Sequence, residues 1–530
     1  MRRLFPIAVA SVLFLSCDSS KHAQGGAGGA AGRQGSTGGA GGARSGGTGG
    51  TSNTGGASAT GGSLGTAGAS GSGGTSGTGG VKSSGGSSGS GGANGSGGAT
   101  RTGGSTGSGG STGTGGSTGT GGITSSGGTT AAGGTKSGSG GTSGSGGLSG
   151  SEGNTVEAVV DQGPENMGYV NGIFATVTLC VPGTSTCQSI DHVLVDTGSS
   201  GLRVLESVIT LSLPAVNNST GSPLGACTQF VDGTAWGPIL SADVKLNGEI
   251  AAAIPLQAIG EKAYPMPTAG TCSSGQAITD LESLRANGII GVGINQQDCG
   301  TACTQTKSNP GMYFACTSNK TGGCKTTTVP LTSQVRNPIV SFPVDNNGII
   351  IQLPSVPAAG AVSTTGKLVF GIGTQANNGL GSAAVITPAD DYGNIGTTFP
   401  VGGTKYTGFV DSGTNTYAFL NSATSGLALC TSAGLDSFYC PSTTTSLSAT
   451  IFGGNNASSL VNFSVANASK LSSRSFVFSN LGTEMSGFPS GGTSSIPDFL
   501  WGLPFFFGRS VYTAIEEQDT PGGKGPYVAF

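Results

Sequence analysis

The tract 23–150 places the first limit on what this 530-residue chain can fold into. It consists almost wholly of Gly, Ser, Thr and Ala, and it contains no aromatic residue, Asp or Glu. Such side chains bury too little apolar surface to offset the entropy lost on ordering, so the tract is expected to be a disordered linker. The folded part must come from the ~377 residues beyond it, which are enough for two lobes with cores of their own.

The first 17 residues are expected to direct export. Arg2 and Arg3 precede an apolar run at 4–15, and a charged start followed by about 12 apolar residues is typical of a signal peptide and too short to span a bilayer. The run ends in Phe-Leu-Ser-Cys, which resembles a bacterial lipoprotein box whose Cys17 is lipidated and becomes the mature N-terminus. This predicts an extracytoplasmic chain anchored to a bacterial membrane, in the periplasm or at the cell surface. An ordinary signal peptide with an incidental Cys17 is the alternative.

Residues 18–153 are interpreted as a tether. Gly-Gly-Ser and Gly-Gly-Thr recur without a fixed period, which excludes collagen because collagen needs Gly at every third position. A flexible coil of this length has a typical end-to-end distance of about 60 Å, enough to hold a folded region clear of a membrane surface. A glycosylated or adhesive stalk fits the same composition, and this alternative stays open.

The cysteine count agrees with lipidation of Cys17. The chain has 11 Cys, and setting Cys17 aside leaves an even number, which predicts five disulfides in an oxidising compartment. The candidates are Cys180, Cys187, Cys227, Cys272, Cys299, Cys303, Cys316, Cys324, Cys430 and Cys440. Cys180 and Cys187 flank a turn and Cys430 and Cys440 are similarly close, but the pairings stay open. Zinc binding by the four between Cys272 and Cys430 is an alternative, although their spacing does not match the usual zinc motifs.

Charge and the scarcity of His argue against several classes of function. A net charge of −3 and a pI near 5.5 do not suit a nucleic-acid partner, because phosphate contacts need clustered Lys and Arg. The sequence has only His22 and His192, too few for most zinc sites or for a His-based catalytic triad. We therefore expect no metal, no cofactor and no nucleic-acid partner. The chain is also expected to be a monomer.

Short β-rich runs separated by Gly, Pro and Asn turns predict a mainly β fold beyond residue 153. The clearest strands are expected at 172–179, 192–195, 242–246 and 367–370. One short helix is predicted, because Thr279 and Glu282 fit a capping box and Gly288 lies where the helix would stop.

Two halves of the sequence repeat one pattern, an apolar strand that runs into a turn beginning with Asp. One strand leads into Asp-Thr-Gly-Ser at 196–199, and another leads into Asp-Ser-Gly-Thr at 411–414. At a similar distance further on, each half carries an apolar run interrupted by Gly, at Gly291 and at Gly502. A lone Asp-Thr-Gly is expected by chance in a chain so rich in these residues. The repetition of the turn together with its surroundings indicates a shared structural role.

These repeats resemble the pepsin-like aspartic peptidases, in which two β lobes each supply one Asp from such a turn. The similarity covers most of 165–530, and the stretch 501–513 looks like the last block of that family. The resemblance implies a bilobal pepsin-like acid-protease fold, with an N-terminal lobe at 154–350 and a C-terminal lobe at 351–530. The stretch 195–204, Val-Asp-Thr-Gly-Ser-Ser-Gly-Leu-Arg-Val, is also similar to one found in uncharacterised bacterial secreted proteins, for which no activity is established.

By this resemblance Asp196 and Asp411 form a catalytic pair. Two carboxyls a few ångströms apart share one proton, so one can act as a base toward water and the other as an acid toward a peptide carbonyl. The resemblance assigns the support of the two turns to Thr197, Gly198, Ser199, Ser412, Gly413 and Thr414. The Gly residues let backbone N–H groups approach the carboxylates, and the hydroxyls lock the turns together and orient each Asp. The implied partner is a peptide or protein substrate.

The sequence departs from the pepsin-like pattern at the hairpin expected to cover the substrate. The segment 227–243 contains no Tyr. Trp236 and Phe230 are the candidates for that cover, and a core or rim position is the alternative for both. Arg203, which follows the first Asp turn, is expected at the surface, either solvated or salt-bridged.

The leading hypothesis is a membrane-tethered, extracytoplasmic aspartic endopeptidase. One alternative is a catalytically silent surface lipoprotein of the same fold whose cleft binds peptide or glycan. Another is a structural lipoprotein in which both Asp turns are coincidental. The presence of two Asp residues favours the enzyme, because a cleft that only binds has no need of two desolvated carboxylates.

Overall fold

The computed structural model describes residues 153–530 apart from short gaps. The gaps are 231–232, 261–263, 268–271, 273–275, 308, 319, 321, 391 and 486–497. The expected signal peptide, the lipidation of Cys17 and nearly all of the tether at 18–153 lie outside the described residues. The described residues belong to one compact unit, so the two halves can be described together.

The strands are numbered in chain order. The first twelve are β1 (Thr155–Asp161), β2 (Gly172–Cys180), β3 (Cys187–Asp196), β4 (Ser200–Leu205), β5 (Leu224–Gln229), β6 (Gly233–Leu246), β7 (Glu249–Ile259), β8 (Gln276–Ile278), β9 (Gly288–Val292), β10 (Tyr313–Cys316), β11 (Cys324–Thr326) and β12 (Gly348–Leu353). The others are β13 (Thr364–Phe370), β14 (Val385–Ile386), β15 (Ile395–Phe399), β16 (Thr404–Val410), β17 (Tyr417–Phe419), β18 (Thr445–Phe452), β19 (Ser458–Val465), β20 (Gly482–Thr483), β21 (Phe499–Trp501), β22 (Arg509–Ala514), β23 (Asp519–Thr520), β24 (Gly523–Lys524) and β25 (Tyr527–Ala529).

Helices are short. The α-helices are α1 (Leu281–Leu284) and α2 (Ser422–Ser425). The 3₁₀ turns are Pro164–Asn166, Glu206–Val208, Gly300–Thr304, Leu331–Ser333, Pro338–Ser341, Ala468–Lys470 and Leu503–Phe505. The expectation of a mainly β fold is therefore confirmed, and β2, β3, β6 and β13 contain the four strands predicted from the sequence.

Six strands of the N-terminal half close into a barrel. The pairings run from β6 through β7, β4, β9 and β3 to β2, and β2 pairs with β6 again to complete the ring. Apolar side chains such as Val177, Val193 and Ile290 are fully buried in this part of the core. Because the ring is closed, these strands gain their hydrogen-bond partners from one another, and their positions are fixed mutually.

The C-terminal half forms a seven-stranded sheet in the order β19-β18-β15-β16-β21-β17-β20. Its core is aromatic: the Phe419 and Phe499 rings stack at 4.7 Å between centroids, and Phe499 stacks on Trp501 at 4.6 Å. A further run of strands, β1-β13-β12-β22-β25-β14, continues the first sheet. This run joins the start, the middle and the end of the described chain.

The predicted short helix is present, but its capping residues were predicted wrongly. Asp280, not Thr279, is the N-cap, because its side chain accepts the backbone N–H of Ser283 while the Ser283 hydroxyl accepts the N–H of Asp280. The helix ends after one turn at Arg285, which has a left-handed backbone. Gly288 does not stop the helix; it begins β9.

The ten remaining Cys form five disulfides, as the count predicted. The pairs are Cys180–Cys187, Cys227–Cys272, Cys299–Cys303, Cys316–Cys324 and Cys430–Cys440. The central four are therefore joined in two pairs, and the zinc alternative loses its thiolate ligands. Five disulfides indicate an oxidising compartment outside the cytoplasm. Over the residues that the structure describes, no helix has the length and apolar character needed to cross a membrane.

Candidate active site

The first Asp turn lies at the end of β3. Strand β9 runs between β3 and β4, parallel to β3 and antiparallel to β4, and it brings Gly291 opposite Asp196. A Cβ on Gly291 would lie 2.6 Å from the Ser199 Oγ, so only Gly lets the turn lie this close to β9. Asp196 Oδ1 accepts the backbone N–H of Gly198 at 2.8 Å.

The second Asp turn has the same construction. Strand β21 runs between β16 and β17, parallel to β16 and antiparallel to β17. Gly502 follows β21, and a Cβ there would lie 2.1 Å from the Thr416 carbonyl oxygen and 2.5 Å from that of Thr414. Asp411 Oδ1 accepts the backbone N–H of Gly413 at 2.8 Å. The two Gly-interrupted runs noted in the sequence thus lie at equivalent places beside the two turns.

Reciprocal hydrogen bonds hold the turns together. The Thr197 N–H donates to Ser412 Oγ at 3.1 Å, and the Ser412 N–H donates to Thr197 Oγ1 at 2.9 Å. Each hydroxyl then donates to a carbonyl of the opposite half, Thr197 to Val410 at 3.3 Å and Ser412 to Val195 at 2.8 Å. Thr197 and Ser412 are 215 positions apart in sequence and both are buried. The turns are therefore fixed with respect to each other.

The two carboxyls meet beside Gly413. Asp196 is 0% exposed and Asp411 is 1% exposed. A Cβ on Gly413 would lie 2.6 Å from Asp196 Oδ1 and 3.2 Å from Asp411 Oδ1. The absence of a side chain at Gly413 thus permits the approach of the pair. Two carboxyls this close in a low-dielectric site cannot both ionise comfortably.

The pKa values of the pair are raised to different degrees. Burial raises the pKa of Asp196 well above its usual range, and the charge of Asp411 raises it further. Burial also raises the pKa of Asp411, but the Thr414 hydroxyl donates to its Oδ2 at 2.6 Å and opposes the rise. The Ser199 hydroxyl also opposes the rise at Asp196, yet it makes no well-formed hydrogen bond, and no donor in the described chain reaches Asp196 Oδ2. These contacts favour the ionised form of Asp411 over that of Asp196.

This arrangement supplies a proton donor and a proton acceptor side by side. Because the two carboxyls interact strongly, each of the two protonation steps involves both of them and not one residue alone. General acid and general base catalysis on one substrate need such a combination. Elsewhere in the described residues, no three His, Cys, Asp or Glu side chains lie together as a metal site would require.

Two buried Asn residues, missed by the sequence reasoning, also hold the second turn. The Asn171 side-chain amide, just before β2, donates to the Asn415 carbonyl at 2.8 Å and to the Phe478 carbonyl at 2.9 Å. The Asn415 amide donates back to the Val170 carbonyl at 2.7 Å. Asn415 directly follows the second turn, and this position is the one feature of the sequence that could have marked it as a site residue. Nothing in the local sequence marks Asn171.

Comparison with known proteins gives a family without an assigned activity. Residues 150–530 match the model of a family described as protein of unknown function (DUF3443). The chain belongs to the DUF3443 family. No curated protein matches it. Among solved structures, the aspartic proteinase from Irpex lacteus is similar at 15% identity with a TM-score of 0.40, and the alignment covers 71% of this chain and 96% of that chain.

In this DUF3443 chain the two candidates for a substrate cover pack into the core. The Trp236 ring is 3% exposed, its N–H donates to the Tyr264 carbonyl at 2.7 Å, and it contacts the Phe314 ring edge-on at 5.4 Å. Phe230 is 8% exposed and lies in a separate apolar cluster. These positions correspond to the core alternative raised for both side chains. The indole N–H is already committed within the fold.

Arg203 of the DUF3443 chain is salt-bridged, as one of its expected roles had it, but the expected surface position was wrong. Its side chain is 0% exposed and forms an ion pair with Asp298, also 0% exposed, at 2.8 Å. The partner lies 95 positions further along the chain. Burial of an Arg is tolerated only when such a partner is in place, and the sequence near Arg203 does not reveal it.

Proposed function

We propose that this protein is an extracytoplasmic aspartic endopeptidase that uses Asp196 and Asp411. The observation that carries the proposal is the burial of two carboxyls in matching turns joined by the Thr197–Ser412 bonds. Burying two carboxyls that raise each other's free energy opposes folding, so a purely structural role gives no reason to keep both. Peptide hydrolysis gives such a reason, because it needs one acid and one base at the same bond.

The proposed reaction begins with a water molecule between the two carboxyls. The Asp411 carboxylate takes a proton from the water as the water oxygen bonds to the peptide carbonyl carbon. Asp196 donates its proton to the carbonyl oxygen, so a neutral tetrahedral intermediate forms without a covalent bond to the enzyme. Asp411 then returns a proton to the departing amine while Asp196 recovers one from the intermediate hydroxyl, and the C–N bond breaks. The pair ends in its starting protonation state.

Cleavage is expected at acidic pH. Incubation of unfolded protein with the disulfide-intact chain from pH 3 to 7 should release fragments where the pair holds a single proton, with a fall as pH rises and both carboxyls ionise. The raised pKa of Asp196 places this fall above the usual range for Asp. Fragment formation followed by mass spectrometry gives the profile. A folded parent that yields no fragments at any pH would remove the enzyme proposal and favour a cleft that only binds peptide or glycan.

The proposal includes a lipid anchor at Cys17 and a tether to the folded part. The lipoprotein-like ending at Cys17 and the long Gly-rich tract support it, together with five disulfides that suit an oxidising compartment. Cells expressing the full chain should show fatty-acid labelling and detergent-phase partitioning, both lost in Cys17→Ala. Equal labelling of the two chains would contradict the anchor and leave the chemistry of the Asp pair untouched.

A further inference from the structure

A buried polar network lies beside the first Asp turn and is separate from the Asp pair. Its centre is the Arg203–Asp298 ion pair, which has no exposure to solvent on either side. Two further contacts of Arg203 run to the chain that leaves the turn: Nη1 donates to the Ser200 carbonyl at 3.0 Å and more weakly to the Gly201 carbonyl at 3.5 Å. Ser200 is four positions after Asp196. The guanidinium thus holds the segment that carries the first carboxyl.

The same side chain also contacts the antiparallel hairpin of β5 and β6, the segment expected from the sequence to cover a substrate. Arg203 Nε donates to Thr228 Oγ1 at 3.2 Å and to Gln257 Oε1 at 3.1 Å. Thr228 lies on β5 and passes its own hydroxyl hydrogen to Gln257 Oε1 at 3.1 Å. The Gln257 amide in turn donates to the Ala226 carbonyl, also on β5, at 2.8 Å. Two positions on the first strand of the hairpin are therefore joined to Arg203.

Asp298 joins a third part of the fold to the network. Its Oδ1 accepts the Tyr313 hydroxyl at 2.6 Å, and that hydroxyl accepts the Val335 N–H at 2.7 Å. The Asp298 N–H donates to the Val335 carbonyl at 3.1 Å. Tyr313 lies on β10, which pairs with β5 and places Tyr313 opposite Ala226. The carboxylate is therefore held by Arg203 of β4 and by Tyr313 of β10, the strand that pairs with β5.

The chemistry of the network indicates that it fixes the relative positions of its partners more than it stabilises the fold. A buried ion pair seldom stabilises a fold more than well-packed apolar side chains of the same volume would. Arg, however, presents its donors in a rigid planar fork, so partners that satisfy several of them are fixed in distance and direction together. Here those partners belong to the strand leaving the Asp turn, to β5 of the hairpin, to β7 through Gln257, and to the segment at Asp298.

We propose that Arg203 is a positioning residue that fixes the β5–β6 hairpin relative to the first Asp turn. Thr228 and Gln257 carry the connection to the hairpin, and Asp298 holds the guanidinium in place. The consequence for catalysis rests on the proposed function, in which this hairpin is the expected substrate cover and its position would set how a peptide lies over the carboxyl pair. The effect is expected mainly on substrate binding, because Arg203 does not reach the reacting atoms.

The test removes a single hydroxyl from the connection between Arg203 and the hairpin. Thr228→Val keeps the shape and β-branching of a side chain that is 1% exposed but removes its hydroxyl, whereas Thr228→Ser keeps the hydroxyl. Thr178→Val, on β2, is the matched control, because among the described residues the Thr178 hydroxyl bonds only the exposed Ser189 hydroxyl. Each full-length chain is assayed for kcat and KM on one peptide and for amide hydrogen exchange in β5 and β6.

We expect Thr228→Val to raise KM about fivefold to tenfold with kcat within about twofold, and to speed hydrogen exchange in the hairpin but not in the C-terminal sheet. Thr228→Ser should restore both values, and Thr178→Val should match the parent. Parent-like KM and exchange in Thr228→Val would overturn the proposal. If the parent itself cuts nothing, the enzyme proposal fails; hydrogen exchange then judges the positioning role alone, with faster hairpin exchange supporting it and unchanged exchange overturning it.

Discussion

The substitutions Asp196→Asn and Asp411→Asn are each expected to lower kcat/KM for peptide cleavage by at least about 10³-fold while the chain stays folded. Asn has nearly the shape of Asp, so the N–H bonds from Gly198 and Gly413 can still be accepted. It can neither give up nor take the proton that the reaction requires. Because the two carboxyls act as one unit, the double variant should be about as inactive as either single variant.

Although these variants lose activity, their free energy of unfolding should not fall. Burial raises the folded-state pKa of Asp196 and of Asp411, so their contribution to stability is fully present below the unfolded-state pKa and is lost as pH rises through the raised values. Each Asn variant escapes that loss and should withstand at least as much urea as the parent at pH 7. Asp191→Asn is the control for both assays, because it changes an exposed carboxyl on β3, the strand that carries Asp196. Full cleavage by either site variant would contradict the assigned roles.

The second large effect concerns the buried ion pair. Arg203→Met is expected to lower the free energy of unfolding by about 3–5 kcal/mol at pH 7, because it leaves the Asp298 carboxyl in the core without its cationic partner. Burial already raises the pKa of Asp298 to about 6 with Arg203 present and with Tyr313 bonded to it. Without Arg203 that pKa rises further. At pH 4.5 the carboxyl is then neutral in the variant, and its loss of unfolding free energy relative to the parent should be smaller than at pH 7.

Asp298→Leu should show the opposite pH trend. The parent gains stability as pH falls through the raised pKa of Asp298, and a chain without this carboxyl gains nothing from it. Its deficit relative to the parent is therefore larger at pH 4.5 than at pH 7. Urea midpoints of the parent and of both variants at the two pH values provide the comparison. Deficits that do not change with pH would mean that Asp298 does not titrate in this range.

The parts of the site that local sequence determines were predictable. A strand followed by Asp, a hydroxyl residue and Gly encodes its own turn, and its repetition at Asp196 and Asp411 indicated both halves. The Gly-interrupted runs at Gly291 and Gly502 were equally visible, because only Gly fits against those turns. An even number of Cys after Cys17 was set aside was enough to predict five disulfides, though their partners depended on the three-dimensional fold.

The parts that depend on distant partners were not predictable. A charged residue next to a turn is normally solvated, and nothing near Arg203 signals that Asp298 and Tyr313 will surround it. Trp236 offered an aromatic ring in the expected hairpin, but whether it faced a substrate or the core depended on Phe314 and Tyr264, far along the chain. The helix N-cap lies one residue later than predicted, because the short Ser283 side chain competes well for backbone donors.

The placement of β1 has a mechanical consequence. This first strand lies between β13 and β2, antiparallel to both, and it begins at Thr155. Just before it, the Asn154 side chain and backbone both bond to Phe370. A force directed along β1 through the chain that precedes it would load in shear the hydrogen bonds to β13 and, further along the strand, those to β2. The folded region is thus joined to its N-terminal extension at a point suited to resist pulling.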